Sequence, residues 1–307
     1  MTRPAITVQG LRMRYGEVEV LKGIDLELGK GEILGFLGPN GAGKTTTIEI
    51  LEGYRQRSAG EVSVLGVDPA HPTRAWRDRI GLVLQECELD PLLTVKETLT
   101  LFSTFYRSPR PIDDVMALVG LANREGARLG TLSGGQRRRA DVAVALVGDP
   151  DLIFLDEPTT GFDATARREA WSTIQGLKDL GKTVLLTTHY MEEAQQLADR
   201  VVIIREGEIV AEGRPEEIAG QRTRQATIAF DAPKGVEPDR IASAVARPVA
   251  LEKGRMTLQS DDAQATLLSL TNWARGEQVA LAAIEVRQPS LEDVFLELTQ
   301  PRESNDA

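Results

Sequence analysis

The sequence contains little of what secreted or membrane-spanning proteins use. Its single cysteine, Cys87, cannot form a disulfide within the chain, which agrees with a reducing compartment. Its longest apolar runs, such as Ile33 to Leu37, are far shorter than the roughly 18 to 20 residues that a membrane-spanning helix needs. Residues 1–10 lack the apolar segment of a secretory signal. We therefore expect a chain that stays in the cytoplasm.

Basic residues are also outnumbered by acidic ones. The 307 residues include 36 Lys and Arg against 46 Asp and Glu, a net charge of -10. Nonspecific affinity for nucleic acid depends on clustered basic side chains, so this balance argues against such a partner. A composition of 41% hydrophobic and 27% charged residues excludes disorder of the whole chain. The length suffices for one large domain and a smaller one.

Short runs rich in Val, Ile and Leu predict strands that are buried on both faces, because these runs are continuous rather than alternating. Helical patterns between several of them favour an α/β fold with a mostly parallel sheet. The runs are Ile6 to Val8, Ile33 to Leu37, Ile80 to Leu84, Leu152 to Leu155, Val184 to Thr188 and Val201 to Ile204.

One segment departs from this succession of strands and helices because it contains only helical patterns. Thr94 to Tyr106 and Ile112 to Val119 have the spacing of amphipathic helices. We interpret residues from about 86 to 147 as a helical insertion within a first domain of residues 1–220.

The C-terminal third predicts a separate α+β domain over residues 221–300. Gln225 to Phe230 has the pattern of a strand, Ala263 to Arg275 that of a helix, and Leu281 to Val286 that of another strand. Residues 301–307 remain as a tail.

A phosphate-binding loop follows the strand Ile33 to Leu37. Gly38 to Thr45 matches G-x-x-x-x-G-K-[ST] between a strand and a helix, which a chance Gly-rich turn would not reproduce. Glycines let backbone N–H groups approach phosphate oxygens closely. We expect Lys44 to reach the β- and γ-phosphates of a nucleoside triphosphate and Thr45 to bind Mg²⁺. The predicted nucleotide-binding residues of this loop are Gly38, Asn40, Gly41, Ala42, Gly43, Lys44, Thr45 and Thr46.

Two acids complete this predicted site. The apolar run Leu152 to Leu155 ends at Asp156, which we expect to hold Mg²⁺ directly or through water. Glu157 follows and is the candidate general base for the attacking water. Adjacent acids after a strand are common on surfaces, and only their pairing with the phosphate-binding loop supports these roles.

Leu132-Ser133-Gly134-Gly135-Gln136 resembles the signature motif of the ABC ATPase family. A serine and two glycines at a helix N-terminus can bind phosphate. The resemblance covers about residues 5–218 and implies a dimer with ATP held between the loop of one chain and Ser133, Gly135 and Gln136 of the other. Both sites would hydrolyse ATP in a homodimer, the expected assembly.

The family's smaller motifs follow in order. The resemblance implies that Tyr15 stacks on adenine, that Gln85 senses Mg²⁺ and the lytic water, and that His189 contacts the γ-phosphate. It also gives Asp163 a nucleotide-contacting role, although Phe162 stands where the family usually has Leu. An ordinary edge aromatic remains the alternative for Tyr15, and a structural histidine the alternative for His189.

Arg137 to Arg139 follow the signature directly. We interpret them as a solvated or interface face of the helix rather than a nucleic-acid contact.

A motif near the end of the chain indicates which kind of ABC protein this is. Pro289 to Thr299 resembles the C-terminal motif of daunorubicin-resistance type drug and antibiotic exporters. Independently, Ser290 can cap a helix with Asp293 three residues on. The resemblance implies a separate multi-span permease and a place at the cytoplasmic side of the membrane. An importer ATPase and a soluble ABC ATPase acting on nucleic acid or ribosomes remain alternatives, although such soluble proteins usually carry two cassettes or long coiled coils.

Overall fold

The computed structural model describes residues 3–84, 88–222, 225–287 and 290–299. The described residues divide into two compact units, one within Met1–Pro215 and Leu298–Ala307, the other within Glu216–Glu297. The elements of the first part of the chain are β1 (Ile6–Tyr15), β2 (Val18–Leu28), β3 (Ile33–Leu37), α1 (Lys44–Leu51), β4 (Ala59–Val64), α2 (Arg74–Arg77), β5 (Ile80–Val83), α3 (Val95–Ser103), α4 (Ile112–Leu118), α5 (Gly134–Leu146), β6 (Leu152–Asp156), α6 (Ala164–Asp179), β7 (Thr183–Thr188), α7 (Met191–Leu197), β8 (Arg200–Arg205) and β9 (Glu208–Gly213). Those that follow are α8 (Pro215–Arg222), β10 (Ala226–Asp231), α9 (Pro238–Val245), β11 (Val249–Glu252), β12 (Arg255–Ser260), α10 (Ala263–Gly276), β13 (Glu285–Arg287) and α11 (Leu291–Thr299).

A mixed sheet forms the centre of the first unit. Among the described residues its strand order is β5-β6-β7-β3-β8-β9, parallel throughout except for the antiparallel pair β8 and β9. This confirms the predicted, mostly parallel α/β architecture. Every residue of β3 and β7 is buried, as the continuous apolar runs indicated. Because parallel strands end at the same edge, the segments after β3, β6 and β7 are brought together there.

The helices α3, α4 and α5, which lie between β5 and β6 in the sequence, pack against the central sheet. Thr94 caps α3, and its side chain and Glu97 accept each other's backbone N–H groups. Buried side chains of α3, α4 and α5 share one apolar cluster with Ile153 and Leu155 of β6. The predicted amphipathic helices therefore exist, and each ends within a few residues of its expected end.

A smaller antiparallel sheet, in the order β2-β1-β4, lies on the other side of the core. Its buried side chains share a cluster with Phe36 of β3 and Phe154 of β6. Tyr15, the predicted adenine contact, is the last residue of β1 and is exposed.

The second unit contains an antiparallel sheet in the order β11-β12-β10-β13, whose chain order with α9 and α10 is βαββαβ. The predicted strand over Leu281 to Val286 is wrong for its first four residues, because only Glu285–Arg287 pairs with β10. Ala283 has a left-handed φ of 49°, which interrupts an extended strand. Earlier in that segment, the carbonyl of Ala282 accepts the N–H of Asp231.

The last helix has the predicted cap. Ser290 and Asp293 accept each other's backbone N–H groups at the start of α11. Leu291, Val294 and Leu298 are buried and share one face of this helix. None of the helices in the described residues is both long and apolar enough to cross a membrane.

Candidate nucleotide-binding and hydrolysis site

The phosphate-binding loop connects β3 to α1 and has no room for side chains at two glycines. A Cβ on Gly38 would lie 2.5 Å from the carbonyl oxygen of Ile204, and one on Gly43 would lie 2.6 Å from Leu21 Cδ2. Gly43 also has a φ of 107°, which other residues rarely adopt. The close approach of β8 and β2 therefore leaves space only for glycine at these two positions of the loop.

The remaining loop residues differ in exposure. Asn40, Gly41 and Thr45 are exposed and Thr46 is half-buried, whereas Ala42 is buried. The N–H groups at the start of α1 have no partners within the helix, which gives this end the partial positive charge that anions prefer. The exposed edge of the loop can therefore bind a phosphate.

Lys44 is buried beneath this loop, with 8% of its surface exposed. Its ammonium donates to the carbonyl oxygens of Gly38 at 2.7 Å and Pro39 at 3.1 Å. Burial lowers the pKa of Lys44, and the negative charges of Glu157 and Asp156 oppose that shift. The lysine predicted to bind phosphate therefore lies in the electrostatic field of both predicted acids.

Thr187 of β7 fixes the two acids at the end of β6. Its hydroxyl donates to the carboxylate of Asp156, and both its carbonyl and its hydroxyl oxygen accept the N–H of Glu157, at 3.1 Å and 3.2 Å. One threonine on the neighbouring strand therefore orients both acids.

Glu157 has a left-handed φ of 45°, a strained conformation for a residue with a side chain. One carboxylate oxygen, Oε2, accepts the hydroxyl of Thr160 at 3.0 Å. The other, Oε1, lies 3.2 Å from Nδ1 of His189. The structure thus brings together the predicted base and the predicted γ-phosphate contact.

Glu52, at the C-terminal end of α1, is near enough to Asp156 for their charges to interact. Burial raises the pKa of Glu52 to about 8, and the nearby charges of Asp156 and Glu49 add to the effect. Mg²⁺ prefers oxygen ligands. Asp156 and the hydroxyl of Thr45 are the predicted magnesium ligands, and both supply oxygen donors of the kind this cation takes. Gln85, the third predicted ligand, lies outside the described residues.

The signature residues begin α5 as predicted. Ser133 caps the helix, its hydroxyl accepting the N–H of Gln136 at 3.3 Å, and Oε1 of Gln136 accepts the N–H of Ser133 at 3.1 Å. Ser133 and Gly134 are exposed, while a Cβ on Gly135 would meet the Cβ of Ala166 in α6 at 3.4 Å. The N–H groups of Gly134 and Gly135, in the first turn of α5, lack partners within the helix and are the ones that could bind an anion outside the chain.

Asp163 and Tyr15 already have partners within the chain. Oδ1 of Asp163 caps α6, accepting the N–H groups of Thr165 at 3.0 Å and Ala166 at 2.8 Å. The guanidinium of Arg55 lies 5.2 Å from the centroid of the Tyr15 ring. The nucleotide-contacting roles of both residues stay predictions.

Sequence reasoning missed the buried charges around the site. Arg138 was expected on a solvated or interface face, but only 7% of it is exposed, so that expectation is wrong. Glu193 of α7 is fully buried, and its Oε1 accepts the Thr159 hydroxyl at 2.8 Å and the Trp171 indole N–H at 3.0 Å. No apolar periodicity in the sequence predicts that either residue is buried. For Arg138 the available signal was its position, five residues after Ser133 in the helix that begins with the signature motif.

Similarity to known proteins extends over nearly the whole chain. The sequence profile of the ABC transporter family matches residues 21–160, and that of the ABC transporter domain-containing protein-like C-terminal domain matches residues 226–290. The chain is 35% identical to daunorubicin resistance ATP-binding protein DrrA3 of Streptomyces coeruleorubidus, over 97% of each chain. It is 37% identical to Nod factor export ATP-binding protein I of Rhizobium meliloti (strain 1021), over 96% of this chain and 88% of the relative.

Solved structures agree with these relatives. An ATP-binding subunit of an ABC transporter superimposes with a TM-score of 0.63 at 26% identity, covering 71% of this chain and 92% of that one. A dimeric ATP-binding cassette in a post-hydrolysis state, bound to ADP and Pi, gives a TM-score of 0.60 at 26% identity, covering 68% and 98%. The chain belongs to the ATP-binding subunits of ABC transporters and is an ATPase whose activity is coupled to transport.

Proposed function

We propose that this chain binds and hydrolyses ATP to power an ABC exporter. Export of a drug, an antibiotic or a lipid-like compound would proceed through a separate membrane permease. The observation that carries the proposal is the similarity, over nearly the whole chain, to ATP-binding proteins named for daunorubicin resistance and Nod factor export. The chain would act as a peripheral protein on the cytoplasmic side of the cell membrane.

ATP would bind along the loop between β3 and α1. The backbone N–H groups of the loop would hold the phosphates, and the ammonium of Lys44 would exchange its contacts with Gly38 and Pro39 for the β- and γ-phosphates. The exposed ring of Tyr15 would stack on adenine.

Mg²⁺ would be held by Thr45, Asp156 and Gln85. When bound, it neutralises charge that develops on the transferred phosphoryl group. Asp156 is prepared for this role because Thr187 already fixes its carboxylate.

Glu157 would orient and deprotonate the attacking water. Thr160 and His189 hold its carboxylate from two sides, which supports a defined direction for proton acceptance. His189, beside that carboxylate, would contact the γ-phosphate, and Gln85 would sense both the metal and the water.

A second copy of the chain would complete each site. The hydroxyl of Ser133, the N–H group of Gly135 and the side-chain amide of Gln136 would bind the γ-phosphate held by the partner's loop, and Asp163 would lie at the same interface. In this scheme residues 1–220 hydrolyse ATP, while residues 221–300 form an accessory domain.

Recovery of the tagged chain from membranes tests the exporter assignment. Extraction of membranes of the native host with mild detergent should yield the chain together with a multi-span membrane protein. A soluble extract in which the chain sediments with ribosomes or nucleic acid would contradict the proposal.

A further inference from the structure

Arg138 connects the signature helix α5 to two strand ends that carry predicted catalytic residues. Its guanidinium donates to the carbonyl oxygens of Leu84 at 2.5 Å, Asp156 at 3.0 Å and Pro158 at 3.1 Å. Leu84 directly precedes Gln85 in the sequence, and Asp156 and Pro158 are the two neighbours of Glu157.

This arginine is an unusual residue to bury. Its carboxylate partner, Asp141, lies at 3.8 Å one turn along α5, and 7% of each residue is exposed. Burial raises the pKa of the Asp141 carboxyl to about 6 although Arg138 opposes that shift. Buried ion pairs often add little stability compared with apolar residues of similar size. Stability alone is therefore a weak reason for this pair.

The shape of the guanidinium matches the three acceptors. Arginine carries five N–H donors in a planar fork, so that one side chain can donate to several carbonyls with fixed geometry. Lysine has a compact, rotatable ammonium and would keep the charge without that geometry.

The main chain that Arg138 holds is strained at Glu157. Glu157 has a φ of 45°, and such a conformation persists only where surrounding contacts determine it. Arg138 holds the carbonyls on both sides of Glu157, while Thr187 accepts its N–H. Together these contacts fix the direction in which the Glu157 side chain leaves the backbone.

We propose that Arg138 is a positioning residue for ATP hydrolysis. It acts through Glu157, which it keeps aimed at the attacking water, and it joins the signature helix to the main chain on both sides of that carboxylate. The inference rests on the proposed ATPase function of this site.

Arg138→Lys tests the proposal with the buried charge retained. We expect kcat to fall between about tenfold and a hundredfold, because small displacements of a reacting group have effects of that size. The Kd for ATP should stay within about twofold, since Lys44 and its loop are untouched. Arg240→Lys is the matched control: Arg240 pairs with Glu277 at an exposed position of α9, and we expect its kcat and Kd to match those of the wild type.

A second pair of variants separates positioning from packing. Arg138→Met removes the cation that lies 3.8 Å from Asp141 and should lower the urea midpoint as well as kcat. Adding Asp141→Leu should restore much of the midpoint but leave kcat at least about tenfold low, because no donor holds the carbonyls beside Glu157.

Three results would overturn the inference. They are a kcat for Arg138→Lys within about twofold of the wild type, a Kd for ATP that weakens in parallel with kcat, and recovery of kcat together with stability in the double variant. Absence of ATP hydrolysis in the wild-type chain would instead overturn the proposed function itself.

Discussion

At the scale of single residues, buried charge determines how stability depends on pH. Burial raises the pKa of Asp141 from 3.8 to about 6. Between these values the folded chain holds a proton that the unfolded chain has released, so this residue makes stability fall as pH rises, and the loss is complete above about pH 6.

Asp141→Asn should remove this contribution. We expect its urea midpoint to fall less steeply than that of the wild type between about pH 4 and pH 6, where one such group contributes at most about 1.4 kcal/mol per pH unit. Asp113→Asn, at an exposed position of α4, should keep the wild-type slope. Parallel curves for Asp141→Asn and the wild type would contradict the assigned pKa.

The sequence predicted the roles of residues that belong to a motif, but it did not predict the roles of residues that act through tertiary contacts. The loop pattern located Lys44, and the structure surrounds it with Asp156 and Glu157 as expected. Thr187 and Arg138 were missed because their roles depend on contacts across neighbouring strands and elements. A threonine in a strand or an arginine in a helix has no local pattern that reports such a partner.

At the scale of elements, the loop between β3 and α1 links backbone conformation to binding. Gly41 and Gly181 are both exposed, have left-handed φ values of 78° and 73°, and have open space where a Cβ would be added. Replacement by alanine at either position should cost about 1 to 2 kcal/mol of stability, because a Cβ disfavours this conformation.

Only Gly41→Ala should also weaken ATP binding. The added Cβ and the strained backbone lie where phosphate must approach the loop closely. We expect the Kd for ATP to rise by about tenfold or more, which is about 1.4 kcal/mol, while Gly181→Ala keeps the wild-type Kd. Titration with a fluorescent ATP analogue measures both, and equal Kd values for the two variants would contradict the loop's role.

Strands with continuous apolar sequence were the easiest elements to predict. Ile33 to Leu37 matches β3 at both ends, because this strand is buried on both faces and needs an unbroken apolar run. β11 and β13 border their sheet and are mainly exposed, so their composition carries little signal. The error over Leu281 to Ile284 arose because apolar residues there predict a strand that the left-handed backbone at Ala283 interrupts.

At the scale of the whole molecule, the proposed dimer makes two damaged chains complementary. Ser133→Arg would place a long side chain at the exposed start of α5, and Lys44→Ala would remove the buried lysine that we propose binds phosphate. Each variant alone should be inactive. An equimolar mixture should recover up to about a quarter of wild-type turnover, since random pairing makes half of the dimers mixed, each with one intact site.

Phosphate release by the mixture measures this recovery. Copurification of differently tagged Ser133→Arg and Lys44→Ala chains from the mixture shows independently whether the dimers exchange. No recovery despite proven exchange would argue against sites shared between two chains.

Hydrolysis by Glu157→Gln tests the central claim most directly. The substitution keeps the size of the side chain but removes the proposed base beside His189, so phosphate release should fall by about a hundredfold to ten-thousandfold. ATP binding, measured with the same fluorescent analogue, should stay within about twofold of the wild type. Glu208→Gln, at an exposed position of β9, should behave as the wild type. Near wild-type phosphate release by Glu157→Gln would contradict the account.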